Sequence, residues 1–409
     1  MGGRQFLRVL ATVVAVLVQA AWAGGNYKVL HNFGATGDGA VPAGPPLLAR
    51  GNLYGATGAG GTSKMCEDYG CGTAFELTPG TNGKWRGRVL YDFQGQYTDG
   101  RPVSGLVLDE QGNLYGASAG GPNDLSNVFE LTPQKSGWAF DLIYDLGAGD
   151  LTLDKLGNIY GVMGSSAHVY PAISELSRGS SGWNYTALYV FCSENHCFDG
   201  DGSVPDPLSW DAKGNLYGVT LYGGNGNGVA FELSRTTDPA SDSLTWTYHV
   251  THHFGETQRD GQHPYSSVVV DRQGNVFGST LVGGGSANAG TLFKIAPVAP
   301  GRWRETVLFN FPAFANGAGP QGNLVMDAAG ALYGVTQGGG NSACQYGCGV
   351  VFELKPTAHG KWKYSVVHTF NGQDGSDPIG LTIDSKGNLF GTTVRGGTYN
   401  LGVAFEITP

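Results

Sequence analysis

Gly112-Asn-Leu-Tyr-Gly116 lies between the apolar run Val103-Ser-Gly-Leu-Val-Leu-Asp109 and the run Asn127-Val-Phe-Glu-Leu-Thr132. The same signature starts again at Gly51, Gly157, Gly214, Gly274, Gly330 and Gly387, with Ile, Val, Phe or Ala exchanged at single positions. Successive starts are 61, 45, 57, 60, 56 and 57 residues apart. A repeat of this period is one supersecondary unit whose apolar faces stay uncovered until copies stack.

The copy around Gly112 can be read strand by strand. Val103–Asp109 is a short apolar strand, and Glu110-Gln-Gly-Asn113 is a turn. Leu114–Ser118 is a second strand, followed by a glycine loop and a third strand over Asn127–Thr132. Pro133–Gly137 turns the chain into Trp138–Leu146, an alternating fourth strand. Four antiparallel strands per unit, repeated seven times, predict an all-β, seven-bladed β-propeller. The last unit ends its third strand at Ile407 and has no fourth. Tyr27-Lys-Val-Leu-His-Asn-Phe33 reads like Arg88-Val-Leu-Tyr-Asp-Phe93 and Val366-Val-His-Thr-Phe370. The N-terminal strand is therefore expected to close the last blade, which removes a free sheet edge.

The combined pattern of D-G-x-x-P, G-N-L-Y-G, a Gly-Gly loop and G-(T/V)-x-F-E-L-T-P resembles the choice-of-anchor GloVer tandem-repeat proteins. It covers nearly all of residues 24–409. The resemblance implies an exported bacterial protein, often surface-held by a varying C-terminal anchor, with no established activity. No anchor-like segment follows the last repeat, so attachment to the cell is not expected from one.

Arg4 and Arg8, the apolar run Val9–Val18 and Ala21-Trp-Ala23 read as a signal peptide over residues 1–23. One propeller domain over residues 24–409 is expected to follow, secreted, periplasmic or at the cell surface. Removing the two arginines takes the formal charge from −9 to −11. An acidic chain without a Lys/Arg cluster excludes nucleic acid as an expected partner, and no further apolar run suits membrane insertion. The six cysteines form three close pairs, Cys66/Cys71, Cys192/Cys197 and Cys344/Cys348. In an exported chain these predict local disulfides, each worth about 2 kcal/mol. The alternative, a metal site built from two pairs, needs repeats 1, 4 and 6 to meet, and a ring keeps them apart.

Several polar residues recur with the repeat. Asp38, Asp99, Asp201, Asp260 and Asp374 open Asp-Gly loops, and Asn316 takes this place in repeat 6. An Asn substitute favours a turn role over calcium binding or acid catalysis. Thr57, Ser118, Thr220, Thr280, Thr336 and Thr393 end the second strand. Repeat 3 loses this hydroxyl (Met163) together with the Asp, which predicts a hydrogen bond between the two. Glu76, Glu130, Glu175, Glu232, Glu353 and Glu406 on strand three predict a satisfied polar contact between blades. Asp109, Asp154, Asp211, Asp271, Asp327 and Asp384 read as turn residues.

A ligand site is expected where the repeats differ. Repeat 3 is the shortest, and its Ser165-Ser-Ala-His-Val-Tyr-Pro171 loop stands beside the long loop Cys192-Ser-Glu-Asn-His-Cys197-Phe-Asp199. A low blade beside a stapled loop predicts a notch lined by His168, Tyr170, Glu194, His196 and Asp199. Each of these also has a bland reading, as an exposed loop residue without a ligand. His252, His253, Glu256, Arg259 and His263 cluster in one loop, but adjacent histidines on a strand face opposite ways, so no metal is expected. Asp199–Asp206 has acidic residues suited to calcium without the spacing of a calcium loop; no cofactor is expected. No nucleophile elbow, zinc motif or phosphate loop occurs. Two functions remain. One is a monomeric recognition module that binds an extracellular glycan or protein through its loop face, with Tyr69, Tyr222, Tyr346 and Tyr399 suited to sugar stacking. The alternative is a carbohydrate-active hydrolase or lyase with acids at the channel mouth.

Overall fold

The structure, a computed structural model, describes residues 26–66, 69–95, 98–120, 126–145, 148–165, 168–191, 203–205, 207–237, 244–312 and 316–409. The segment read as a signal peptide lies outside them. The described strands form seven antiparallel sheets arranged as the blades of a propeller. In blade 2, Leu114–Ala119 pairs with Asn127–Pro133, which pairs with Trp138–Tyr144. The two inner strands each bury five consecutive residues because neighbouring blades cover both faces. The fourth strand, at the outer edge, begins by alternating in burial, as its sequence does.

The signature has a packing cause. A Cβ on Gly116 would sit 2.6 Å from Cζ of Phe129, whose ring crosses the second strand; Gly55 and Phe75, or Gly391 and Phe405, repeat the contact. The first strand differs from the expected continuous Val103–Asp109. It is split into Arg101–Pro102 and Val107–Leu108, both paired with the second strand. The intervening bulge carries Gly105 into the central channel. Such interruptions re-aim side chains at the rims of sheets.

The ring closes as the repeat phase requires. Asn26–Asn32 pairs antiparallel with Val403–Thr408, from Asn26 opposite Thr408 to Asn32 opposite Val403. Phe33, Leu53, Phe75, Phe390 and Ala404 then form one core cluster across blades 7 and 1. Prolines of the Asp-Gly-x-x-Pro element seal the joints nearer the channel. Pro42 of blade 1 lies against Gly402 of blade 7, and Pro264, Pro320 and Pro378 meet Gly228, Gly290 and Gly349 in the same way.

On the outside, fourth-strand rings lie flat on one another across the joints. Phe140 lies over Tyr91, Tyr185 over Tyr144, Tyr248 over Tyr189, Tyr364 over Phe309 and Tyr27 over His368, with centroids 5.3, 4.9, 4.0, 4.1 and 3.9 Å apart. Two joints depart from this pattern. Gly87 faces His31, and Glu305 faces His252.

Candidate functional site

The Asp-Gly loops and the second-to-third strand loops share one face, where Gly34, Asp38 and Val41 line a groove together with Gly61, Lys64 and Tyr69. Each described Asp-Gly carboxylate is held by the preceding fourth strand, and those of Asp99, Asp260 and Asp374 also accept loop N–H groups. Asp38 meets His31 at 2.8 Å, Asp374 meets His368 at 3.1 Å and Asp260 meets His252 at 3.3 Å. Asp99 accepts from the Tyr91 hydroxyl and from two loop N–H groups. Where blade 6 has Asn316, the preceding strand has Phe309 in place of His or Tyr. These acids are turn anchors.

The expected hydrogen bond to the Asp carboxylate is made by no described hydroxyl of this set; only in blade 2 do the two positions meet, where Ser118 donates to the Asp99 backbone carbonyl at 2.7 Å. Thr57 donates to the Ala59 carbonyl and accepts from the Thr73 N–H, and Thr220, Thr280, Thr336 and Thr393 repeat this. The link is the glycine after the Asp. A Cβ on Gly39 would lie 2.6 Å from Thr57, and one on Gly261 2.3 Å from Thr280. Blade 3 loses hydroxyl and loop together because one packs on the other.

The strand-three acids find their main partner inside the blade. The signature tyrosine stands opposite in register, Tyr54 to Glu76 and Tyr217 to Glu232. Tyr54, Tyr115, Tyr217 and Tyr333 donate to Glu76, Glu130, Glu232 and Glu353 at 2.6–3.1 Å. Burial, reinforced by Glu232, holds the Tyr217 hydroxyl far above its ordinary value, so it stays a donor. One contact does cross blades, since Arg178 of blade 3 reaches Glu130 of blade 2. Blade 5 exchanges both partners, placing Lys294 over the Phe277 ring. The turn acids also match their reading: Asp109, Asp154, Asp211, Asp271, Asp327 and Asp384 each accept backbone N–H groups of the following turn.

Cys66–Cys71 and Cys344–Cys348 are disulfides, each in a second-to-third strand loop. The first touches Gly95 in the loop leading to Asp99, which puts it on the Asp-Gly face. Cys192 and Cys197 lie outside the described residues, as do Glu194, His196 and Asp199 of the expected notch. The backbone of His168 and Tyr170 belongs to the strand His168–Gly179, with His168 opposite Ser165.

Four exposed tyrosines stand on the loop face. Tyr69, Tyr346, Tyr399 and Tyr222 are 72%, 69%, 50% and 42% exposed. The first three belong to blades 1, 6 and 7, which are consecutive around the ring. Tyr69, with Met65, borders a groove of about 880 Å³ that runs to Arg101 and Val103 of blade 2.

The channel is narrow, and all seven first-strand regions line its cavity of about 450 Å³. Each blade contributes to the wall, for example Pro45, Gly105, Asp150, Pro207, Ser267, Asn323 and Ile379. Asp150 is the only carboxylate among the described lining residues, a feature its sequence context hid because repeat 3 lacks the Asp-Gly loop. Channel water reaches its side chain, but protein walls surround it; this desolvation pushes the carboxyl up to about 6, against a hydrogen bond from the Gly105 N–H.

Comparison with solved structures gives the fold and no more. YCF48 from Cyanidioschyzon merolae is similar at 14% identity and a TM-score of 0.55, covering 94% of this chain and 99% of its own. A protein from Lactobacillus plantarum is similar at 12% identity and a TM-score of 0.50, covering 82% and 95%. PorZ, an essential bacterial surface component of the type-IX secretion system of Porphyromonas gingivalis, is similar at 14% identity and a TM-score of 0.50. That match covers 89% of this chain, which spans only 46% of PorZ. No curated protein matches. No helix among the described residues is long and apolar enough to cross a membrane. The Gloeobacter/Verrucomicrobia repeat model matches residues 210–409, and the same signature at Gly51, Gly112 and Gly157 carries the pattern through the rest of the ring. Residues 210–409 of this propeller thus belong to the Gloeobacter/Verrucomicrobia repeat, and the other blades share its signature.

Proposed function

We propose that this propeller is an exported, monomeric recognition module that binds an extracellular glycan through its loop face. The observation that carries the reading is the arc of Tyr346, Tyr399 and Tyr69 on blades 6, 7 and 1. Flat, exposed rings with a polar tip on glycine-rich loops suit stacking against sugar faces. Disulfide-stapled loops accord with an oxidising compartment, and cleavage near Ala23 would release the mature chain.

The notch over blades 3 to 5, with His168, Tyr170, Glu194, His196 and Asp199, is the second subsite of this reading. The hydrolase alternative needs two carboxyl groups about 5–10 Å apart, and the channel wall offers Asp150 alone among its described residues. A glycan array on the mature protein, followed by calorimetry, tests the proposal. Tyr69→Ala and Tyr399→Ala should weaken binding at least about fivefold with an unchanged melting temperature. Binding lost only in Tyr170→Ala and Glu194→Ala would move the site to the notch. Release of reducing sugar by the wild-type chain would replace the module with an enzyme.

A further inference from the structure

The joint between blades 4 and 5 departs from its siblings at one residue. At the fourth-strand position where five blades place a stacked ring, blade 5 has Glu305. Its strand register fixes the equivalence, because Ile295 faces Glu305 as Leu354 faces Tyr364 and Leu233 faces Tyr248. The substitution puts a carboxylate beside the His252–Asp260 pair. The donor atoms of His252, Asp260 and Glu305 all lie within 4.8 Å of one another.

We propose that His252, Asp260 and Glu305 form a binding site for a divalent cation of the zinc class. Two observations point to a missing partner. Asp260 has a side chain only 6% exposed. Its Oδ2 takes both His252 and the Glu256 N–H, leaving Oδ1 without a hydrogen bond. Glu305 Oε1 is also buried and unpaired. In the loops of blades 2 and 7 the matching oxygen is satisfied: Asp99 Oδ1 accepts from Gln94 and Gly95, and Asp374 Oδ1 accepts from Asn371. Leaving two carboxylate oxygens desolvated and unpaired is costly, and one cation would serve both.

The donor set selects the ion. One imidazole nitrogen and two carboxylate oxygens match zinc, whereas calcium takes oxygen ligands only. Tetrahedral ligands about 2 Å from an ion stand roughly 3.3 Å apart. His252 Nε2 lies 3.3 Å from Oδ2 of the Asp260 carboxylate, whose other oxygen, Oδ1, is the one left to bind, and Glu305 has only to close toward them. A cavity of about 380 Å³, with Glu256, Thr257 and Arg259 on its walls, leaves room for a fourth ligand. The adjacent His253 takes no part and lies toward Gly224. The third donor comes instead from a strand some fifty residues along the chain, so the loop sequence alone does not reveal the set.

Chelator-treated full-length protein titrated with zinc chloride by calorimetry, with calcium chloride as a parallel arm, tests the site. One zinc per chain and no calcium heat are expected. Glu305→Tyr restores the sibling ring, and His252→Tyr installs the residue found at Tyr91 and Tyr189. Each should weaken zinc at least about tenfold, while metal-free Glu305→Tyr melts no lower than wild type. Absence of zinc binding, equal calcium binding, or zinc affinity unchanged in both variants would overturn the assignment.

Discussion

The joints between blades 6 and 7 and between blades 4 and 5 begin from the same parts. In each, a fourth-strand histidine holds the carboxylate of an Asp-Gly loop, His368 with Asp374 and His252 with Asp260. Over His368 lies Tyr27, at 3.9 Å and 6° from parallel, with its hydroxyl on the Asp374 carbonyl. Over His252 stands Glu305, whose carboxyl burial pushes up to about 7. In these two joints one outer position separates closure by a ring from unsatisfied polar atoms. The repeat supplies a frame, and single departures from it open places for chemistry.

The most severe way to break the comparison is to carry the blade 5 arrangement into blade 7. Tyr27→Glu removes a stacked ring and a buried hydroxyl bond, and should cost about 3–4 kcal/mol in denaturant unfolding. A loss under about 1 kcal/mol would show that the ring does not hold the joint. A partnered acid gives the next contrast. Tyr217→Phe leaves Glu232 without its short hydroxyl bond and should cost about 1–2 kcal/mol; no measurable loss would mean that solvent replaces the tyrosine. The reverse transplant, Glu305→Tyr, should raise metal-free stability by about 1 kcal/mol. A lower melting temperature would sink the view that the acid is tolerated at the expense of stability.

The last contrast compares Glu305 with an acid that channel water reaches. Asp150 titrates near 6 in the folded chain against 3.8 for a free side chain. The folded state therefore keeps a proton that the unfolded state gives up, and the stability this contributes below pH 4 is lost as pH rises toward 6. Asp150→Asn should melt like wild type at pH 4 and higher than wild type at pH 7. A difference that stays constant across that range would show that the channel does not perturb the group.

The seven blades and their closure were legible because Tyr27–Phe33 repeats the ending of other fourth strands and each signature marks one blade. The partner of the strand-three Glu was partly written in the chain, since blade 5 exchanges Tyr for Phe277 and Glu for Lys294 together, although blade 7 keeps Glu406 opposite Phe390. It was missed because register across two strands, not spacing along one, brings them opposite. The loss of Thr with the Asp loop in blade 3 was read as a hydrogen bond, when a glycine packed on the methyl and hydroxyl explains it. Glu305 was hidden because the loop drew notice while the departure lay in an outer strand. Aligning Phe140, Tyr185, Tyr248, Tyr364 and Tyr27 would have exposed it.

The strand Asn26–Asn32 has a consequence for the order of assembly. Its contacts bridge long separations, 347 residues for Tyr27 with Asp374 and 366 for Asn32 with Thr398. Six blades can form from neighbouring sequence as the chain emerges, but the seventh must wait for its last-made strands to meet the first-made one. Contacts of such sequence distance are slow to find, since the chain between them must first be ordered. Until they meet, the first strand has no partner at all, and the third strand of the last blade keeps one unpaired row of backbone groups. A second copy in the same state offers the matching rows, so the clasp that makes a single ring is also where two unfinished rings would exchange strands.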